Sequence, residues 1–173
     1  MAFSNLIRIF TLFILLVKMH LLIDISPNCS FSQSIQNNSR NKCDLAIKFC
    51  NNEEYSKARD IIKDILKTNP NYSYAHIVMG DIYKVSADNH WKNKRHPMFD
   101  DKLVYELAYM EYYAAIPDSQ YSSIATKKMN MIKNYCRIME EINNTPKKVC
   151  RPHSEYYEWI EKAIVKKDYI WLK

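Results

Sequence analysis

The residues with the clearest capacity for chemistry lie together in mid-chain, in the stretch DNHWKNKRHPMFDD at positions 88–101. Asp88, His90, His96, Asp100 and Asp101 supply imidazole and carboxylate groups, the usual ligands of zinc and related cations. Such ions need ligands at spacings that one turn or helix face can bring together. No CxxC or HxxxH pattern is present, so the stretch reads as a polar connection and the sequence assigns no metal and no other cofactor. His76 and His153 stand alone at helical or pre-helical positions and read as surface or internally satisfied groups. Glu106 and Glu111 read as solvent-facing positions of one helix. Neighbours in sequence do not make a catalytic set, because triad geometry is spatial. The chain is expected to be non-enzymatic.

The thiols raise a second question, which depends on compartment. Positions 9–17, IFTLFILLV, form an unbroken apolar run behind Arg8, in the order of a secretory signal. Ser30 and Ser32 place small residues where a signal peptidase reads, so cleavage is expected after Ser32. Lys18 and His20 interrupt the run before it reaches the roughly 20 apolar residues of a membrane span. The alternative is an uncleaved anchor over 6–25 that tethers a structural component to a membrane. The chain is therefore expected to be exported, periplasmic or secreted, or else membrane-anchored. Cleavage would leave Cys43, Cys50, Cys136 and Cys150, an even set that suits an oxidising compartment. Cys43 and Cys50 lie about 10 Å apart along one helix, too far to bond each other. Cys136 and Cys150 flank the turn at 143–146 and could staple two helices, adding about 3 kcal/mol in the loop-entropy model. The alternative is that all four are small buried apolar groups.

Composition bounds the rest. A chain of 173 residues holds one domain with a sizeable core. Its single glycine excludes phosphate-cradling loops, dinucleotide fingerprints and nucleophile elbows, each of which needs several at fixed spacing. Alternating β-branched runs are absent, so the expected class is all-α. The formal charge of +6 is spread along the chain, at Lys92, Lys94 and Arg95, at Lys127 and Lys128, and at Lys147, Lys148 and Arg151. That distribution reads as a solvated surface, and no nucleic-acid partner is expected. Sequons at Asn37, Asn71 and Asn143 are what an asparagine-rich chain contains by chance.

The elements that must position any site follow from periodicity. A polar lead-in at 33–40 reads as flexible, and a first helix is expected over 41–50. A second helix starts from Asn52 as its cap, with Ile61, Ile62, Ile65 and Leu66 as its stripe, and stops at Pro70. Leu45, Ala46 and Phe49 in the first helix, and Tyr55, Ala58, Ile62 and Pro70 in the second, resemble a tetratricopeptide (TPR) helix pair. Gly80 and Tyr83, within GDIY, resemble the small and aromatic positions of a second repeat. After an insertion at 88–101, that repeat resumes with Tyr105, Ala108, Tyr112 and Ala115 and closes at Pro117. The match covers 42–117 and is similar to exported bacterial TPR proteins. It implies two helical hairpins, the second with a loop insertion. Periodicity then predicts a long capping helix over 119–142 and a final helix over 154–167, so 118–173 reads as a C-terminal cap.

The resemblance also implies a function, namely binding a protein or peptide as an interaction or assembly module of the cell envelope. The groove it implies is formed by Cys43, Ile47 and Cys50 of the first repeat with Tyr74, Ile77, Asp81 and Lys84 of the second. The alternative is that the long third helix fills that groove itself. Membrane contact is expected only if the N-terminal segment stays uncleaved.

Overall fold

The computed structural model describes the backbone of residues 28–137 and 149–165. Expectations for 1–27, for the turn at 143–146 and for the last residues of the final helix, 166–167, lie outside those residues. The chain divides into two units, Met1–Asn38 and Ser39–Lys173. In the first, the described part is a helical stretch from Asn28. That stretch belongs to helix α1, Asn28–Asn51, so positions 33–40 are helical where the sequence suggests a flexible lead-in. Once a helix is nucleated, each added residue gains a hydrogen bond, and polar residues are then carried along with it.

In the second unit the fold is all-α, as expected. Cys43, Ala46 and Cys50 form the buried stripe of α1. Asn52 completes this helix instead of capping the next one: its N–H donates to the carbonyls of Lys48 and Phe49 at 3.2 and 3.1 Å. Glu53 then takes φ of 62°, the left-handed conformation that commonly ends a helix and favours glycine. Helix α2, Tyr55–Thr68, follows at once and buries Tyr55, Ala58, Ile62 and Ile65.

Helices α3, Ser73–Trp91, and α4, Phe99–Ala115, are buried around most of their circumference and form the centre of the domain. Their partners run in opposite order along the chain, with Asp88 and Trp91 against Tyr105 and Asp81 against Tyr112, so the pair is antiparallel. Gly80 makes this packing possible: a Cβ there would lie 2.4 Å from Tyr112 Cε1 and 2.6 Å from Cδ1. The connection is shorter than the expected 88–101. Trp91 Nε1 donates to Tyr105 Oη at 2.7 Å and Tyr105 Oη donates to Asp88 Oδ1 at 2.5 Å, which holds the last turn of α3 helical.

Helix α5, Ser122–Ile132, is also shorter than expected. A 3-10 turn, Lys133–Tyr135, follows, and Cys136 is extended. The cause is Arg137. In a continuing helix its N–H would bond the carbonyl four residues back, whereas here it donates to Glu106 Oε1 at 3.0 Å.

Among residues 149–165 the expected final helix is replaced by irregular chain. A 3-10 turn, Glu155–Tyr157, lies between two short strands, β1, Val149–Cys150, and β2, Ile164–Val165, which pair antiparallel. Tyr156, Trp159, Ile160, Ala163 and Ile164 have helical spacing, but tertiary contacts override it. Trp159 stacks on Tyr55 and on Tyr83, each at 5.7 Å between centroids. Tyr157 Oη donates to Asp101 Oδ1 at 2.5 Å, and the N–H groups of His153 and Ser154 donate to Asp100 Oδ2. The segment follows these anchors.

Candidate functional site

Of the residues expected to line an open groove, three are buried and four are half-buried. Cys43, Cys50 and Ile77 are buried in the core. Ile77 packs with Ala115 and with Ala125 of α5. Asp81 accepts from Tyr112 Oη at 2.7 Å and from Lys128 Nζ of α5 at 2.6 Å. Tyr74 meets the Tyr121 ring at 5.8 Å, carries the Arg40 guanidinium 3.9 Å above its own ring, and donates to Asp44 Oδ1. Lys84 is paired with Asp88 at 2.5 Å, and Ile47 is half-buried against the core. Helix α5 therefore packs against the α3 side of the expected groove, at Ile77 and Asp81. Ala125 allows this, because a small residue lets α5 approach Ile77 closely.

The thiols are free and buried, with no bond between Cys136 and Cys150. Each sulfur has a different partner: Cys136 Sγ donates to the Ile132 carbonyl at 3.7 Å, and Cys150 Sγ accepts from Arg137 Nη1 at 3.7 Å. Burial pushes Cys43 up to about 12 and Cys50 up to about 11, so neither is a thiolate nucleophile near neutral pH.

The ionisable residues of the mid-chain stretch each hold part of the fold. Asp101 is fully buried and accepts from His90 Nδ1 at 2.5 Å and from the Met98 N–H at 2.7 Å, as well as from Tyr157. The His90 ring also stacks on Tyr156 at 4.7 Å. Asp100 receives the chain at His153 and Ser154, and His96 faces the Pro97 carbonyl at 3.4 Å. No group of three metal-ligating side chains converges among the described residues.

Two glutamates read as solvent-facing are in fact buried. Glu106 receives Arg137 as a fork, Nε on Oε1 at 2.7 Å and Nη2 on Oε2 at 2.8 Å, with both side chains fully enclosed. Glu111 accepts from His76 Nδ1 at 2.7 Å and from Lys162 Nζ at 2.6 Å. His76 Nε2 faces the Pro70 carbonyl at 2.8 Å, so both ring nitrogens point at acceptors and the imidazolium satisfies both. Burial opposes that charge, but the bonds to Glu111 and Pro70 outweigh it and raise the His76 pKa above its ordinary 6.5. Burial likewise works against the Glu111 carboxylate, and His76 and Lys162 hold its pKa below 4.5. A raised histidine stabilises the fold fully below 6.5 and loses that contribution as pH climbs through its folded value. Glu111 contributes above 4.5 and loses its share as pH falls. The urea midpoint is therefore expected to decline from pH 6 to pH 8.5, and His76→Gln should flatten that decline. An undiminished slope in the variant would remove His76 as its source.

Beside this cluster lies a cleft of about 310 Å³. Helix α2 supplies Arg59, Lys63 and Leu66, α3 supplies Met79 and Tyr83, α4 supplies Glu111, and the irregular segment closes it with Glu161 and Lys162. Lys63 Nζ bonds Glu161 at 2.5 Å, and Lys162 bonds Glu111. Arg59 is buried, and its Nε and Nη2 both donate to one oxygen of Asp60, at 2.9 and 2.6 Å. Its Nη1 has no hydrogen-bond partner among the described residues. Sequence gave no signal for this cleft, because Glu161 and Lys162 reach it only through the fold of the last segment.

Among the described residues no helix is long and apolar enough to cross a membrane. Comparison of the chain with protein-family models, with curated proteins and with solved structures found no match.

Proposed function

We propose that the chain is an exported, non-enzymatic protein-interaction or assembly module of the cell envelope, built on TPR-like helix pairs. One observation carries the reading: the outer face of α5 leaves Ile124 and Met131, two turns apart, 49% and 57% exposed. Ser123, Thr126, Lys127 and Asn130 surround Met131 in a shallow depression on that face. The last helix of a stack otherwise hides its apolar residues or carries a polar outer face, because no further repeat covers it. Here α5 leaves two apolar side chains uncovered, which another helix could cover. Small residues support the TPR likeness: Ala58, Gly80 and Ala108 are buried, and Gly80 lies where α3 meets Tyr112 of α4. With Ile77 and Asp81 engaged by α5, the partner belongs on the far side of that helix. The apolar run at 9–17 supports export.

The test is Ile124→Glu combined with Met131→Glu in the full chain. Both side chains are exposed, so the unfolding midpoint should stay near that of the wild type. Capture of a protein by the immobilised wild-type chain, from the envelope of the source cells, should fall by about tenfold or more in the variant, the loss expected of interface anchors. Undiminished capture would exclude the α5 face.

A further inference from the structure

We infer that the cleft between α2, α3 and residues 161–162 binds a small carboxylic acid with an apolar body, its carboxylate docking on the Arg59 guanidinium. This site is separate from the α5 face and does not depend on the partner proposed there. A buried guanidinium hydrogen without an acceptor is costly, and a charged donor costs more than a neutral one. Arg59 is 8% exposed and its Nη1, itself enclosed, lacks a partner among the described residues, so the guanidinium has bonding capacity that its present neighbours leave unused. Of the carboxylates near it, Asp60 engages Nε and Nη2, while Glu161 stands off at 3.5 Å from Nη2 with most of its side chain in solvent. Toward Arg59, Glu161 is the loose partner, held in place by Lys63, and an incoming carboxylate can displace it, taking up the guanidinium edge and the Lys63 ammonium.

The rest of the cleft sets the ligand class. Leu66, Met79 and Tyr83 offer an apolar wall. Three cations, Arg59, Lys63 and Lys162, line it against two carboxylates, Glu111 and Glu161. Asp60 and His76 add one charge of each sign just behind these. The excess is a single positive charge, which suits a monoanion better than a phosphate dianion facing the same carboxylates. At about 310 Å³ the cleft sits at the small end of ligand pockets, which run from roughly 300 to 1,000 Å³. It fits a compact acid better than a long chain.

The probe is 3-phenylpropionate, titrated into the full chain by calorimetry beside its neutral amide, 3-phenylpropionamide. The acid should bind saturably, and the amide about tenfold more weakly or worse, because only the acid forms charge-assisted bonds. Glu161→Gln removes the competing carboxylate at an exposed position and should tighten the acid by about threefold or more. Arg59→Gln should abolish acid binding, with Arg59→Lys intermediate since it keeps the charge but loses the planar fork. If Arg59→Gln does not fold, the amide and Glu161→Gln comparisons decide. Absence of saturable acid binding, equal affinity for acid and amide, or no gain in Glu161→Gln would overturn the assignment. A peptide ending in phenylalanine that binds more tightly than the free acid would also overturn it, because the carboxylate would then belong to a protein partner.

Discussion

Arg137→Met is expected to destabilise the domain by about 3–5 kcal/mol, the usual consequence of leaving one member of a buried ion pair uncompensated. Glu106 would keep a fully enclosed carboxylate and lose both arms of the fork. The backbone N–H of residue 137 would remain as one donor to it. The double variant Glu106→Leu with Arg137→Met removes both charges and should cost much less than the single change, because apolar groups need no compensation. Chemical denaturation of the three variants and the wild type forms a double-mutant cycle that reads the coupling directly. A single-variant loss below about 1 kcal/mol would mean that water reaches the pair, since exposed pairs contribute only that much.

Gly80→Ala is expected to destabilise by about 2 kcal/mol, against helix propensity, which favours alanine by about 1 kcal/mol. The sign is decided by Tyr112, whose ring atoms would lie 2.4 to 3.0 Å from the new methyl group. That ring is fully buried and its hydroxyl is held by Asp81, so it cannot swing aside freely. The strain must instead spread into the α3–α4 crossing. Adding Tyr112→Leu to Gly80→Ala should recover part of the loss, and the two changes should be non-additive because they share one contact. Urea midpoints with unchanged slopes would measure this, and a stabilising Gly80→Ala would show that the two helices do not approach so closely.

The buried polar groups show why part of this molecule was hidden from sequence reading. Glu106 and Glu111 have the spacing of an ordinary charged helix face. What encloses them is Arg137 and Lys162, which come from segments whose paths depend on the same contacts. Helical periodicity at 154–167 was equally plain, yet Trp159 between Tyr55 and Tyr83 and the bonds to Asp100 and Asp101 hold that chain in another form. Of the groove positions expected from sequence, Ile77 and Asp81 meet α5 of the same chain instead of standing open.

Composition and local pattern were enough for the all-α class, for the close approach at Gly80 and for Ala58, Ile62 and Ile65 in the core face of α2, whereas in α1 Leu45 is exposed and the buried stripe is Cys43, Ala46 and Cys50. Those properties depend on interactions within a few turns: apolar spacing, proline stops and one small residue at a crossing. Tertiary structure alone decided that α5 packs on Ile77 and Asp81, that two glutamates are buried ion-pair partners, and that Arg59 lines a cleft with a donor to spare. Each of these turns on residues dozens of positions apart meeting in a low-dielectric interior, where the partner, and not the residue type, sets the energy of a charge.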